Sequence, residues 1–181
     1  MKTLKVLGIC GSLRRASRNL ALLRYAQANA PAGISVELAD LSEVPFYNMD
    51  LTEKPAAVQT LLTQLAVADA LIFACPEYNY SIAPALKNAL DWASREPDNA
   101  CLAGKAVALM GAGGGMGTSR AQYHLRQVCV FLDLHVLNKP EIFANAFSGS
   151  FDAEGRLIDT KLQEMIVAQL AALHAYAEKI S

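Results

Sequence analysis

Apolar positions along the chain fall into two alternating rhythms. Thr3–Cys10, Ile34–Ala39, Ala70–Cys75 and Lys105–Met110 are short, mostly apolar runs. Between them, apolar residues return every three or four positions. The first rhythm predicts strands and the second predicts helices. Ala70–Cys75 is apolar throughout and bounded by Asp69 and Pro76, as expected of a strand buried on both faces. Helical faces are marked by Asn19–Ala30, by Val58, Leu61, Leu62 and Leu65, and by Ile82, Leu86, Leu90 and Ala93. Pro84 fits the third only in its first turn. Leu125, Val128, Cys129 and Leu132 mark a fourth, and Leu162, Ile166, Leu170, Leu173 and Ala177 a long closing helix. A short fifth strand is predicted near His135–Asn138 or Ile142–Ala144. Ala144–Arg156 reads as a long surface loop.

Strands alternating with helices imply an α/β fold: a parallel sheet with helices on both faces, in three layers. No linker or internal repeat interrupts the pattern, so residues 1–181 form a single expected domain. Five strands fit the order 2-1-3-4-5. Ligands then sit beyond the carboxyl ends of the strands, at the switch point between strands one and three. The two most unusual loops, Gly11–Asn19 and Pro76–Ser81, follow those two strands.

Composition narrows the function. Hydrophobic residues make up 53% and charged residues 18%, which is globular. The net charge is −1 and no basic block exceeds a pair, so no nucleic-acid partner is expected. Apolar runs end well short of a membrane span. The five apolar residues after Met1-Lys-Thr-Leu-Lys are too few for a signal sequence. Cys10, Cys75, Cys101 and Cys129 are isolated; Cys10, Cys75 and Cys129 read as small core residues, and a reducing cytoplasm is expected. His124, His135 and His174 lack ligand spacing, so no metal is expected.

Three segments carry candidate chemistry. Gly11-Ser12-Leu13-Arg14-Arg15-Ala16-Ser17-Arg18-Asn19 takes a buried strand into a helix through hydroxyls and arginines. That arrangement suits a phosphate at a helix start, with Arg14 pairing to its oxygens; the plainer alternative is a helix cap with solvated arginines. No Walker sequence is present. Pro76-Glu77-Tyr78-Asn79-Tyr80-Ser81 offers flat apolar surface and backbone hydrogen bonds to a planar heteroaromatic ring. The alternative is a helix start capped by Asn79 or Ser81. Gly111-Ala112-Gly113-Gly114-Gly115-Met116-Gly117 lets backbone approach a ligand closely. Read as a dinucleotide fingerprint with Asp133 on the ribose, it would need a strand at Val128–Leu132, where the pattern is helical. No nucleophile elbow or poised acid–base pair stands out, as expected where a cofactor carries the chemistry.

Gly11-Ser12-Leu13-Arg14-x-x-Ser17-x-Asn19 together with Pro76-Glu77-Tyr78-Asn79-Tyr80-Ser81 resembles the NADPH-dependent FMN reductases, flavodoxin-like proteins, and among them bacterial quinone and chromate reductases. The resemblance extends through Ala85–Trp92, Arg120–Arg126 and Asn138–Glu141. It implies a non-covalent FMN whose phosphate is held by Ser12, Arg14, Ser17 and Asn19, with Gly11, Leu13 and Arg18 in the same cofactor-binding loop. Glu77, Tyr78, Asn79 and Tyr80 would hold the ring, largely through backbone, with Pro76 and Ser81 in the same cofactor-binding segment, and Ala112, Gly113, Gly114 and Gly115 would close over its edge. Many relatives carry serines early in this last loop, so here it would act through backbone alone. The resemblance also implies hydride transfer from NAD(P)H to FMN. Electrons would pass on to quinones, free flavin or other oxidised acceptors, chromate among them, in a ping-pong cycle. It implies homodimers or homotetramers, with Tyr80, Trp92, Arg120 and Tyr123 expected near the interface. A flavodoxin-type electron carrier would lack NADPH oxidation, and a phosphate-binding module would stay colourless with added FMN. The near balance of 17 acids and 16 bases argues against the carrier.

Overall fold

In a computed structural model describing residues 2–180, a central parallel sheet is covered by helices on both faces. The elements are β1 (Leu4–Cys10), α1 (Arg18–Ala28), β2 (Ile34–Ala39), α2 (Ala56–Val67), β3 (Ala70–Ala74), β4 (Glu77–Tyr78), β5 (Ser81–Ile82), α3 (Pro84–Ala93), β6 (Ala106–Gly113), α4 (Ser119–Phe131), β7 (His135–Val136), β8 (Ile142–Asn145) and α5 (Thr160–Ile180). The sheet runs β2-β1-β3-β6, and its last position is shared by β7 and β8, both parallel to β6. Flavodoxin-like topology is therefore realised with a divided fifth strand.

Alternation along the strands builds two cores. Leu7, Ile9, Leu71, Phe73, Val107 and Leu109 face α2, α3 and α4. Val6, Cys10, Ile72 and Met110, interleaved with Ala70, Ala74, Ala106 and Ala108, face α1 and α5. The alanines on that second face leave room for the helices to lie close. Pro84 stands at the start of α3, where its missing N–H costs nothing. All four cysteines, Cys101 included, are buried and free.

Both predicted locations of the fifth strand are occupied. The N–H groups of His135 and Leu137 donate to Lys105 O and Val107 O, and the chain then leaves the ladder and rejoins it at β8. The carbonyl of Leu109 falls in the gap, and the buried Gln169 of α5 fills it. Its Nε2 donates to Leu109 O at 3.0 Å and Pro140 O at 2.8 Å. Two expectations are corrected. Strand four does not end at Met110 but continues to Gly113, because β8 pairs with Met110–Gly113. Nor is Ala144–Arg156 merely a surface loop: Ala146, Phe151 and Leu157 are buried in the α1/α5 core, and Phe151 bridges Leu157.

Candidate functional site: a phosphate-and-ring cleft

The first loop leaves β1 with Gly11 N–H donating to Ala74 O at 2.9 Å. A Cβ on Gly11 would lie 2.9 Å from Ala83 Cβ, so only glycine lets the loop pass over the start of α3. Ser17 caps α1, its Oγ accepting from Leu20 N–H at 3.2 Å. The first-turn amides ahead of Leu20 have no partner within the helix. Buried Ser12 accepts from Arg14 N–H at 3.4 Å. Arg14 and Arg15 are exposed, and neither forms an ion pair among the described residues. The Arg18 guanidinium lies 5.6 Å from the Phe147 ring centre and 5.9 Å from that of Phe151. Asn19 is buried and both ends of its amide are committed. Nδ2 donates to Ala112 O and Oδ1 accepts from Ala112 N–H, each at 2.9 Å. Its side chain thus ties the first loop to the end of β6 in the manner of a strand pair.

The second segment is a hairpin rather than an open loop. Glu77 and Tyr78 pair with Ile82 and Ser81, and Asn79 and Tyr80 make the two-residue turn with φ of 50° and 66°. Neither Asn79 nor Ser81 caps α3; Ala83 occupies that position. The Glu77 side chain reaches instead to the start of α4, where Thr118 offers no side-chain cap. Its Oε2 accepts from the amides of Arg120 and Ala121, each at 3.1 Å. Its Oε1 accepts from Arg120 Nε at 2.6 Å and ion-pairs with Nη2. Arg120 in turn lies 3.6 Å from the Tyr80 ring centre. Burial pushes the Glu77 carboxyl up, but Arg120 and the two amides outweigh it and hold the group below the usual carboxylate range.

The glycines after β6 divide into two kinds. A Cβ on Gly111 would fall 2.1 Å from Thr118 Oγ1, and one on Gly113 would fall 2.1 Å from Gly117 O. These two are required by packing. Gly114 and Gly115 would meet nothing, and they stand on the open side.

Together these segments enclose a cleft of about 150 Å³ at the carboxyl ends of β1, β3 and β6. Ser12, Arg14, Ser17, Arg18 and Asn19 form one wall; Pro76, Glu77 and Tyr78 form the second; Ala112, Gly113 and Gly114 form the third. Gly11 and Leu13 line an adjoining apolar cavity instead. Asn79, Tyr80, Ser81 and Gly115 stand outside the cleft lining. Two residues that the sequence reading missed, Ala146 and Phe147, complete it. They follow β8, so the rule that placed the other loops at strand ends would have found them. Of the expected interface residues, Trp92 is buried with Nε1 donating to Pro45 O at 2.8 Å, and Arg120 is held by Glu77. Tyr80 and Tyr123 remain exposed.

A parallel sheet in this strand order, covered by helices on both faces and with its signature loops at the strand ends, is flavodoxin-like. The chain belongs to the NADPH-dependent FMN reductase family, whose model matches residues 4–149. It is 52% identical over 180 residues to an NAD(P)H-dependent FMN reductase of Pseudomonas aeruginosa, covering 98% of this chain and 97% of that one. It is 47% identical to the NAD(P)H:quinone oxidoreductase of Solanum tuberosum, covering 98% and 94%. Among solved structures it resembles FerB, a flavoenzyme NAD(P)H:(acceptor) oxidoreductase from Paracoccus denitrificans. That match has a TM-score of 0.87 and 28% identity, covering 98% of both chains.

Proposed function

We propose that the protein holds FMN non-covalently in this cleft and uses it to carry electrons from NAD(P)H to quinones. Free flavin and other oxidised acceptors, chromate among them, are further candidates. The observation that carries the reading is the charge balance of the cleft. Arg14 and Arg18 flank the Ser12 and Ser17 hydroxyls, and the one carboxylate in the lining, Glu77, is neutralised by Arg120. A dianionic phosphate matches that wall. Glu77 fixes the hairpin against α4, so Tyr78 and the backbone beside it meet a ring as a pre-formed surface. Gly114 and Gly115 let the third wall approach a ring edge with backbone only. When bound, FMN supplies a ring that accepts a hydride.

The net reaction is NAD(P)H, a proton and a quinone giving NAD(P)⁺ and a hydroquinone. One open face serving two planar partners in turn gives a ping-pong cycle. Initial-rate plots at several quinone concentrations are expected to be parallel; intersecting lines would show both partners bound together.

Thiol chemistry has no part in this reading. Burial pushes the Cys75 thiol up to about 11 and the Cys129 thiol up to about 12, and raises Cys10 and Cys101 as well. Buried, protonated thiols are poor nucleophiles. Replacing the four cysteines by Ala or Ser, where the variant folds, leaves NADPH–quinone turnover largely intact. Abolished turnover with FMN still bound would assign a thiol to the reaction.

The protein is further proposed to be a homodimer or homotetramer with its interface beside the cleft, and to act in the cytoplasm. Tyr123, Val130 and Phe131 are exposed on α4, which borders the hairpin. Light scattering is expected to give at least twice the 19.4 kDa chain mass. Tyr123→Asp is expected to lower it while FMN stays bound. Arg120→Glu is a poor probe of the interface, because it also breaks the contact with Glu77. A fully active monomer would contradict the assembly.

A further inference from the structure

Beside the cleft, on the far side of the first loop, lies a second cavity of about 470 Å³. That size suits a small organic molecule, and apart from Gly11, Leu13, Arg14 and Tyr78 its lining has no part in the reductase reading. Its lining is strongly asymmetric. Leu41 is buried in its wall, Val44, Pro84 and Ala85 continue the apolar surface, and Leu13 and Phe46 stand exposed at its edge. Polar side chains are few. Asn88 is committed, its Oδ1 accepting from Tyr47 N–H at 2.8 Å and its Nδ2 donating to Pro45 O at 2.9 Å. The other two, Arg14 and Tyr78, line both this cavity and the cleft. With Arg14 given to the phosphate and Asn88 committed, Tyr78 on the shared wall is the polar side chain left to a second ligand, and the remaining lining side chains are apolar.

A ligand matching this surface has a polar head at the cleft and a hydrocarbon portion leading away from it. A free flavin or nicotinamide would place polar ring edges against side chains that cannot hydrogen-bond them. We infer that the cavity binds the hydrocarbon tail of a lipophilic quinone whose head lies at the adjoining cleft. This deepens the reductase reading and rests on it. The exposed Leu13 and Phe46 then become a mouth that a tail covers, which accounts for large apolar side chains left in water.

The test compares the tailless ubiquinone headgroup with its decyl derivative. Each buried methylene contributes about 0.8 kcal/mol, so even two place the KM of the decyl compound about tenfold below that of the tailless one. Phe46→Ser, which removes the mouth, and Ala85→Leu, which fills the cavity, are expected to erase most of that advantage. Both should leave kcat/KM for the tailless compound unchanged. Binding is read separately by emission from Trp92, the sole tryptophan, whose Nε1 donates to Pro45 O beside the cavity. Without NADPH, the decyl quinone should quench it saturably in the parent protein and far more weakly in either variant. A decyl compound with no advantage, or an advantage that survives both substitutions, would overturn the proposal. So would a Phe46→Ser protein of lowered mass with the decyl advantage intact, which would make this face a contact between copies. Failure of the reductase reading looks different: the tailless quinone itself is then not reduced.

Discussion

Arg14→Ala is expected to yield a folded protein that loses FMN on dialysis. Arg14 is exposed and has no ion-pair partner among the described residues, so its removal changes fold stability by about 0.5 kcal/mol or less. Toward a phosphate it is a charge-assisted donor, and losing such a contact costs about 1.5–3 kcal/mol, roughly ten- to a hundredfold in affinity. Arg14→Lys should fall between, since an ammonium keeps the charge but not the planar fork. Titration with FMN, with a thermal melt alongside, checks both halves. Unchanged affinity would make Arg14 a solvated surface residue and shift the phosphate to Arg18 and the helix amides.

Glu77→Gln should lower the stability of the fold. An amide cannot accept from two backbone N–H groups and a guanidinium as the carboxylate does, and its own NH₂ would face donors. Breaking a buried pair commonly costs 3–5 kcal/mol, but Arg120 is partly exposed, so we expect about 2–3 kcal/mol. For a chain of this size that is about 4–12 °C in Tm. The hairpin should also loosen against α4, raising KM for the quinone. The pH dependence has a definite sign. Glu77 titrates lower in the fold than the ordinary value of about 4.3, so its stabilisation is complete above that value and fades as pH falls through the folded value. The Tm gap between parent and variant should therefore be full at neutral pH and narrow in acid. A gap that is constant with pH would mean that packing, not charge, sets the cost.

The sheet was legible because its strands advertise themselves. Ala70–Ala74 is buried at every position, and a run without polar breaks can be little else. Both signature loops were placed correctly, since strand order alone puts them together. What escaped were interactions between distant segments. Periodicity cannot tell that Asn19 turns its amide to Ala112, ninety-three positions away, or that pairing with β8 makes strand of Ala112 and Gly113. The glycines there suggested a loop; two of them are glycine because Thr118 and Gly117 crowd them. Glu77 was expected near the ring, largely through backbone, yet its carboxylate organises α4. Phe147 went unnoticed because a segment of small and polar residues shows no rhythm, although it lies at the end of a strand.

The central claim is that this cleft holds an FMN that NAD(P)H can reduce and a quinone can reoxidise. It is tested most directly by following the visible flavin band of the FMN-loaded protein under anaerobic conditions, adding NADPH and then a quinone. The account predicts that stoichiometric NADPH bleaches the band and that the quinone restores it, without release of FMN. A protein that stays colourless after FMN is supplied, or one whose bound FMN is untouched by either NADH or NADPH, would contradict it.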